Sequence, residues 1–141
     1  MRDFDQKRLL GEHSLLAGGV RLPQESENFP RILSCVENPD EFCLSLDVSP
    51  GLSWFRGHFP GQPVLPGIVQ MHWAILVASA LFGFEDPPQH IKRLKFSKVI
   101  VPPRNVELRL QRFDPFQVQF SFQSLEQQNS QGRLVFAEPE A

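Results

Sequence analysis

The stretch that decides the fold is residues 54–83, WFRGHFPGQPVLPGIVQMHWAILVASALFG. Its first half is rich in glycine and proline and contains His58, which predicts a rigid loop. After Pro66 and Gly67 an almost wholly apolar run begins, and its length of about sixteen residues predicts a helix about 24 Å long. That run contains a second histidine, His72, fourteen residues after the first. The rest of the chain is expected to cover this helix.

Alternation of apolar and polar residues predicts an antiparallel sheet around that helix. Alternation with a period of two indicates strands with one buried face, and short turns between consecutive strands favour antiparallel pairing. A helix that is apolar nearly all round should be buried on all sides. A curved sheet wrapped around one central helix, the α+β hotdog fold, accounts for both patterns. The predicted strands are residues 31–37, 42–48, 91–101, 106–111, 116–123 and 134–137, with a polar turn at residues 126–132.

The composition is that of an ordinary soluble protein. The 141 residues, 41% of them apolar and 21% charged, are expected to form a single domain with residues 1–30 as a peripheral segment. A net charge of −2 argues against nucleic-acid binding. No secretory signal and no membrane span are expected, which predicts a cytoplasmic protein. Cys35 and Cys43 are interpreted as free thiols, and no residue grouping has metal-ligand spacing.

Two motifs carry a resemblance to a known family. GHFP (residues 57–60) followed by PVLPG (residues 63–67) is similar to the signature of bacterial 3-hydroxyacyl-(acyl-carrier-protein) dehydratases of the hotdog fold. The later run KFSKVIVPPRNVEL (residues 95–108) resembles the strand that follows the helix in that family. The run PGIVQMHWA also resembles the branch of the family found in aryl-polyene-type lipid pathways.

The resemblance implies dehydration of a 3-hydroxyacyl thioester to the trans-2-enoyl thioester, in fatty acid or polyene-type lipid biosynthesis. It assigns His58 as the base and the Gly67 backbone N–H as the donor to the thioester carbonyl. Both roles agree with chemistry. A histidine has an ordinary pKa near 6.5, which suits proton abstraction at neutral pH, and the amides at a helix N-terminus are unpaired and carry positive partial charge. No metal or organic cofactor is implied.

His72 departs from the family pattern. Dehydratases of this family have Glu or Asp fourteen residues after the loop histidine, and the Gln that is common four residues later is replaced by Leu76. We therefore expect His72 to protonate or hold the departing hydroxyl. The alternative is a core histidine bonded to a backbone carbonyl.

Apolar residues near these positions are candidates for binding the acyl chain. Any one of them can also be plain core packing. The predicted substrate-binding residues are Phe59, Leu65, Pro66, Ile68 and Phe96, with Trp73, Phe82 and Phe84 as further candidates for lining an acyl tunnel along the helix.

Basic residues are concentrated after the helix. One acid, Glu107, accompanies seven basic residues: Lys92, Arg93, Lys95, Lys98, Arg104, Arg109 and Arg112. They form either solvated strand faces or a docking surface for an acidic acyl carrier protein with its phosphopantetheine arm. In the family, the loop histidine and the helix residue of one site come from different protomers, which implies a homodimer or a higher even oligomer.

Two other functions remain open. The first is a hotdog acyl thioesterase, which would need a carboxylate or an activated water on the helix, whereas no acid lies between Arg56 and Phe84. The second is a non-catalytic acyl-binding partner subunit that has lost the acid, which His72 makes plausible.

Overall fold

The fold is known from a computed structural model, which describes residues 7–9, 20–56 and 63–137. Its elements, in chain order, are β1 (Lys7–Leu9), β2 (Arg31–Asn38), β3 (Glu41–Val48), a 3₁₀ turn (Ser53–Phe55), α1 (Gly67–Phe82), β4 (His90–Phe96), β5 (Arg104–Asp114), β6 (Gln117–Ser124) and β7 (Gln127–Val135).

The strands form one antiparallel sheet in the order β1-β2-β3-β5-β6-β7-β4. Alternation in the sequence places one face of each central strand in the core. In β6, for example, Val118, Phe120 and Phe122 are fully buried while the residues between them are partly exposed. The predicted antiparallel sheet is therefore confirmed, and β4 lies at one of its edges with a single partner strand, β7.

The predicted helix is also confirmed, at sixteen residues. It packs against β5, β6 and β7, and its buried side includes Trp73, Ala74 and Val77. The helix ends at Gly83, whose φ of 76° is left-handed and whose N–H donates to the Ser79 carbonyl at 2.9 Å. A glycine suits this position because it has no Cβ to oppose a left-handed backbone.

The expectation that the helix is buried on all sides is wrong for a single protomer. Ile68, His72 and Leu76 are exposed, and their spacing of four residues places them on one stripe of α1. The sheet covers only one side of the helix, so the opposite stripe has no cover among the described residues. An apolar sequence predicts burial but does not tell a core from an interface.

The predicted turn at residues 126–132 is wrong. The chain reverses at Leu125 and Glu126 alone, both with positive φ (51° and 61°), and β7 begins at Gln127. The polar residues are accommodated inside the strand because they are hydrogen-bonded: the Asn129 amide accepts the Ser124 hydroxyl at 2.9 Å and donates to the Lys98 carbonyl at 3.3 Å. Such paired polar groups can be buried at little cost.

The strand predicted over residues 91–101 is shorter than expected. It ends at Phe96, because the next amides, those of Ser97 and Lys98, donate to the Asn129 main-chain carbonyl. Ile100, expected on the same strand face, is buried in the segment that follows.

Part of the N-terminal segment expected to be peripheral contributes to the core. Leu22 and Phe29 are buried in the same hydrophobic cluster as α1 and the central strands. Residues 1–6 and 10–19 lie outside the described part of the chain.

Neither Cys35 nor Cys43 is part of a disulfide, as predicted. Burial first, and the neighbouring Glu107 carboxylate second, raise the pKa of the Cys43 thiol to about 12. Over residues 20–56 and 63–137, no helix is long and apolar enough to cross a membrane. Within the same ranges, no three His, Cys, Asp or Glu side chains are grouped as metal ligands would be.

Candidate active site

The N-terminus of α1 presents unpaired amides. Pro66 precedes the helix, and its carbonyl accepts the Val69 and Gln70 amides at 3.1 and 3.2 Å. No side chain caps this end and no acid lies in the first turn. Among the described residues, none accepts the Gly67 or Ile68 amide. These donors, together with the positive end of the helix dipole, can bind a carbonyl or enolate oxygen.

The segment that leads into the helix is held from two sides. The Leu65 amide donates to the Ile100 carbonyl at 2.9 Å, and the Leu65 carbonyl accepts the Gln70 side-chain amide at 3.2 Å. Gln70 is only 2% exposed, so this bond is protected from water. The position of Pro66 and Gly67 is therefore fixed by both the helix and the segment after β4.

Gly67 and Phe96 lie in direct contact. A Cβ added to Gly67 would come within 2.6, 2.7 and 2.8 Å of three atoms of the Phe96 ring, closer than the 3.5–4.0 Å of ordinary carbon contacts. The ring is 50% exposed. The absence of a side chain at Gly67 is thus what lets an aromatic ring lie beside the unpaired amides.

His72 is a surface residue of the protomer. It is exposed on the same stripe as Ile68, and its imidazole makes no hydrogen bond to residues 20–56 or 63–137. The alternative of a core histidine is therefore wrong. His72 lies five residues beyond Gly67, or about 7.5 Å along the helix axis.

The other predicted site residues differ in where they lie. His58 and Phe59 are outside the described residues. Leu65 is buried, Pro66 is half-buried, and Ile68 is 69% exposed beside the helix N-terminus.

The three further tunnel candidates pack inside the protein. Trp73 is fully buried, with its ring edge-to-face against Phe29 at 5.8 Å between centroids. Phe82 contacts Phe42 and Phe84 stacks on Phe136, at the C-terminal end of α1. Packing explains the position of each.

The seven basic residues do not form one surface. On β5, Arg109 pairs with Glu107 at 3.0 Å and Arg112 pairs with Asp40 at 3.4 Å. The other large group lies on and just after the edge strand. Its members are exposed and form no ion pair with any described residue: Lys92, Arg93, Lys95 and Lys98, here called the β4 basic group.

Asn28 is a residue that the sequence did not single out. Its main-chain carbonyl accepts the indole N–H of Trp54 at 2.7 Å and that of Trp73 at 3.0 Å, and its side-chain oxygen accepts the Ser53 hydroxyl. The partners lie 25 to 45 positions away in the chain, so no local pattern could reveal them. The local sequence, ESEN at residues 25–28, is polar and has no further distinguishing pattern.

Comparison with solved structures identifies the class. The chain is similar to the dehydratase heterocomplex ApeI:P from Xenorhabdus doucetiae, with a TM-score of 0.71 and 28% identity over 77% of this chain and 98% of that one. It also matches the dehydratase domain of a mycocerosic acid synthase-like polyketide synthase, with a TM-score of 0.62 and 20% identity over 85% of this chain and 45% of that one. The predicted hotdog fold, with its sheet wrapped around one helix, is thereby confirmed.

The particular family follows from the sequence match. The ApeI-like family, described as ApeI dehydratase, matches residues 34–133. The chain therefore belongs to the ApeI-like family of hotdog dehydratases. A more distant relative is the 3-hydroxyacyl-[acyl-carrier-protein] dehydratase FabZ of Koribacter versatilis, 34% identical over 65 residues. That match covers 40% of this chain and only 42% of the relative's length.

Proposed function

We propose that the protein dehydrates 3-hydroxyacyl thioesters carried by an acyl carrier protein, giving the trans-2-enoyl thioester. The observation that supports this proposed dehydratase activity is the uncapped start of α1 at Gly67, with an exposed His72 farther along the same helix. The substrate class is supported by the name of the FabZ relative. The cytoplasmic location and the pathway remain predictions.

The proposed reaction uses three groups. The His58 imidazole takes a proton from the carbon next to the carbonyl, and the electron pair moves toward the thioester oxygen, which the Gly67 N–H stabilises. The enolate then re-forms the carbonyl as the new double bond forms and the carbon–oxygen bond to the hydroxyl breaks. The departing hydroxide takes a proton from the His72 imidazolium and leaves as water. Transfer of the proton from His58 to His72 through solvent restores both residues.

We further propose that two protomers form each site. In one protomer, Ile68, Leu76, Phe96 and Val99 are exposed, and β4 has an unpaired edge in the described sheet. A second copy seated on this face would cover these apolar side chains and bring its own His58 toward His72. Burial of these exposed apolar side chains favours association.

The β4 basic group is the proposed docking surface for the carrier protein. It follows the edge strand that also carries Phe96, so a carrier bound there lies close to the Gly67 amide. Because these charges are not neutralised within the described protomer, they can steer an acidic partner.

A second candidate function is a non-catalytic subunit of a mixed assembly. It is favoured by two observations: His72 replaces the usual carboxylate, and the similar Xenorhabdus structure is a heterocomplex. The thioesterase alternative is less favoured, because it needs a helix carboxylate and α1 has none.

One assay separates these functions. The protein is incubated with a 3-hydroxyacyl carrier-protein thioester, and enoyl formation is followed against release of free thiol. Enoyl without thiol is expected. Thiol without enoyl would indicate a thioesterase, and neither product, with binding retained, would indicate a non-catalytic subunit.

Histidine variants test the roles. We expect His58→Ala to abolish dehydration. We expect His72→Ala to lower kcat by about 10²–10⁴, the usual contribution of a general acid, whereas His72→Glu keeps part of the activity. Because His72 is exposed, His72→Ala should leave the unfolding free energy within about 0.5 kcal/mol. His90→Ala, another exposed histidine, is the matched control and should be fully active.

Mixing two inactive variants tests the shared site. In a heterodimer of His58→Ala with His72→Ala, one of the two sites combines both intact histidines if each site spans two protomers. Random mixing after dissociation should therefore restore about a quarter of wild-type activity. No recovery from a mixture that has exchanged subunits would show that each site lies within one protomer.

A further inference from the structure

The segment before α1 and the helix itself are joined through one residue of a distant turn. Trp54 lies four residues before His58, and Trp73 directly follows His72. The indole N–H groups of both tryptophans donate to the same acceptor, the Asn28 main-chain carbonyl, at 2.7 and 3.0 Å. The chain segment that leads to the proposed base and the helix that carries the proposed dimer face therefore share one peptide group of the same protomer, so the position of this segment relative to that face, and to the partner's His72, depends on Asn28.

The side chain of Asn28 adds a third tie. Its oxygen accepts the hydroxyl of Ser53, the first residue of the 3₁₀ turn that leads toward His58. The preceding residue extends the same contact: the Glu27 carbonyl accepts the Ser53 amide at 2.7 Å, and the Glu27 carboxylate pairs with Arg56 at 3.4 Å. Residues 27 and 28 thus bond to three residues of the segment that leads into the loop: Ser53, Trp54 and Arg56.

Asn28 is itself held in place. The amide of Asn28 donates to the Ser26 hydroxyl at 3.1 Å, and Ser26 and Phe29 exchange main-chain hydrogen bonds at 3.1 and 3.4 Å. Phe29 is buried with its ring against Trp73. A rigid turn anchored in the core can transmit its position to whatever bonds to it, which a flexible surface loop cannot.

We propose that Asn28 is a positioning residue for the active site, which holds the segment entering the His58 loop at a fixed place relative to α1. This inference rests on the proposed function. A base must lie within hydrogen-bond reach of the proton it removes, and a misplacement of about 1 Å can cost about 100-fold in rate. Loss of one of these hydrogen bonds should make the segment more mobile while the other bonds to Asn28 remain.

The test separates the hydrogen bond of the Asn28 side chain from the two hydrogen bonds of its main-chain carbonyl. Asn28→Ala and Ser53→Ala each remove one partner of the hydroxyl bond and leave the carbonyl that both indoles use. We expect each variant to lower kcat about tenfold, with KM changed less than about twofold. The double variant should be no worse than either single one, because both changes remove the same interaction. Asn28→Asp keeps an acceptor for Ser53 and should recover most of the kcat.

Amide hydrogen exchange supplies a readout independent of catalysis. In Asn28→Ala, exchange in a peptide covering residues 53–62 should become faster, while a peptide from α1 stays protected. Gln24→Ala, an exposed polar residue of the same segment with no hydrogen bond to a described residue, is the control and should match wild type in both assays. If Asn28→Ala fails to fold, Ser53→Ala alone carries the test.

The outcomes distinguish the two proposals. Wild-type kcat and exchange in Asn28→Ala, or a loss that Asn28→Asp does not recover, would overturn the positioning role. A wild-type protein that forms no enoyl product would instead overturn the proposed function, and the exchange measurement would still report whether Asn28 holds the loop.

Discussion

Replacing Gly67 by alanine tests the most constrained contact of the candidate site. The new Cβ would lie 2.6–2.8 Å from the Phe96 ring, about 1 Å inside normal contact distance. One of the two groups must move. Gly67 is fixed by the start of the helix, whereas the Phe96 ring is 50% exposed and can rotate toward solvent.

The effect on stability should be small. Displacing a half-exposed ring costs about 1 kcal/mol or less of apolar burial, and alanine in a helix is up to about 1 kcal/mol better than glycine. We therefore expect the unfolding free energy of Gly67→Ala to stay within about 1 kcal/mol of wild type. Gly132→Ala is a matched comparison, because its Cβ would lie 2.7 Å from the fully buried Phe120 ring. That variant should lose about 1–3 kcal/mol by overpacking.

The effect on activity should be large. A methyl group at Gly67 lies beside the amide proposed to hold the thioester carbonyl, and loss of one such donor costs about 10²–10³ in rate. We expect kcat/KM for enoyl formation from the carrier-protein substrate to fall about 100-fold. The measurement compares urea unfolding with initial rates for both glycine variants.

A double variant shows which group blocks the site. In Gly67→Ala/Phe96→Ala the displaced ring is gone, and Phe96→Ala alone gives the contribution of the ring to substrate binding. Activity that returns to the level of Phe96→Ala would assign the loss to the ring, and continued loss would assign it to the Cβ. Wild-type kcat/KM in Gly67→Ala would refute the reasoning, because no substrate oxygen could then depend on close approach to this amide.

Two further predictions concern the surface and the thiols. At about pH 8 the raised pKa of about 12 keeps Cys43 protonated, and only thiolates are nucleophilic. Iodoacetamide should therefore react with Cys43 much more slowly than it reacts with the thiol of free glutathione. Fast labelling that is lost in Cys43→Ser would contradict this. Lys95→Glu with Lys98→Glu should raise KM for the carrier-protein substrate about tenfold at low salt without changing kcat. Arg31→Glu, on β2 across the sheet, is the control, and an equal rise there would contradict specific docking.

The fold was predictable because its two periodicities are local. The period-two pattern of β6 and the almost wholly apolar run of α1 each depend on neighbouring residues, and the structure confirms both. The β6–β7 turn was misplaced because a polar run such as residues 126–132 has the composition of a loop. Strand β7 is held by partners outside it, among them the Ser124 hydroxyl and the Lys98 carbonyl, both bonded to Asn129. No local sequence pattern predicts these two hydrogen bonds.

The site was predictable only where a motif marks it. Gly67 and Phe96 were named separately from sequence, and their contact follows from tertiary packing. Residues 57–62 carry the most specific motif and lie outside the described part, so the roles of His58 and Phe59 remain predictions. Asn28 could not be found, because its three bonds depend on a turn whose partners are far along the chain.

The bonds to Asn28 also provide an optical probe. The chain has two tryptophans and no tyrosine, and both indoles donate to this one carbonyl. Intrinsic fluorescence therefore reports almost entirely on this single point of the molecule. Movement of the loop on substrate or carrier binding would change the surroundings of Trp54, whereas Trp73 stays buried. Subtracting the fluorescence of Trp54→Phe from that of the wild type would therefore isolate the signal of Trp54 without any added label.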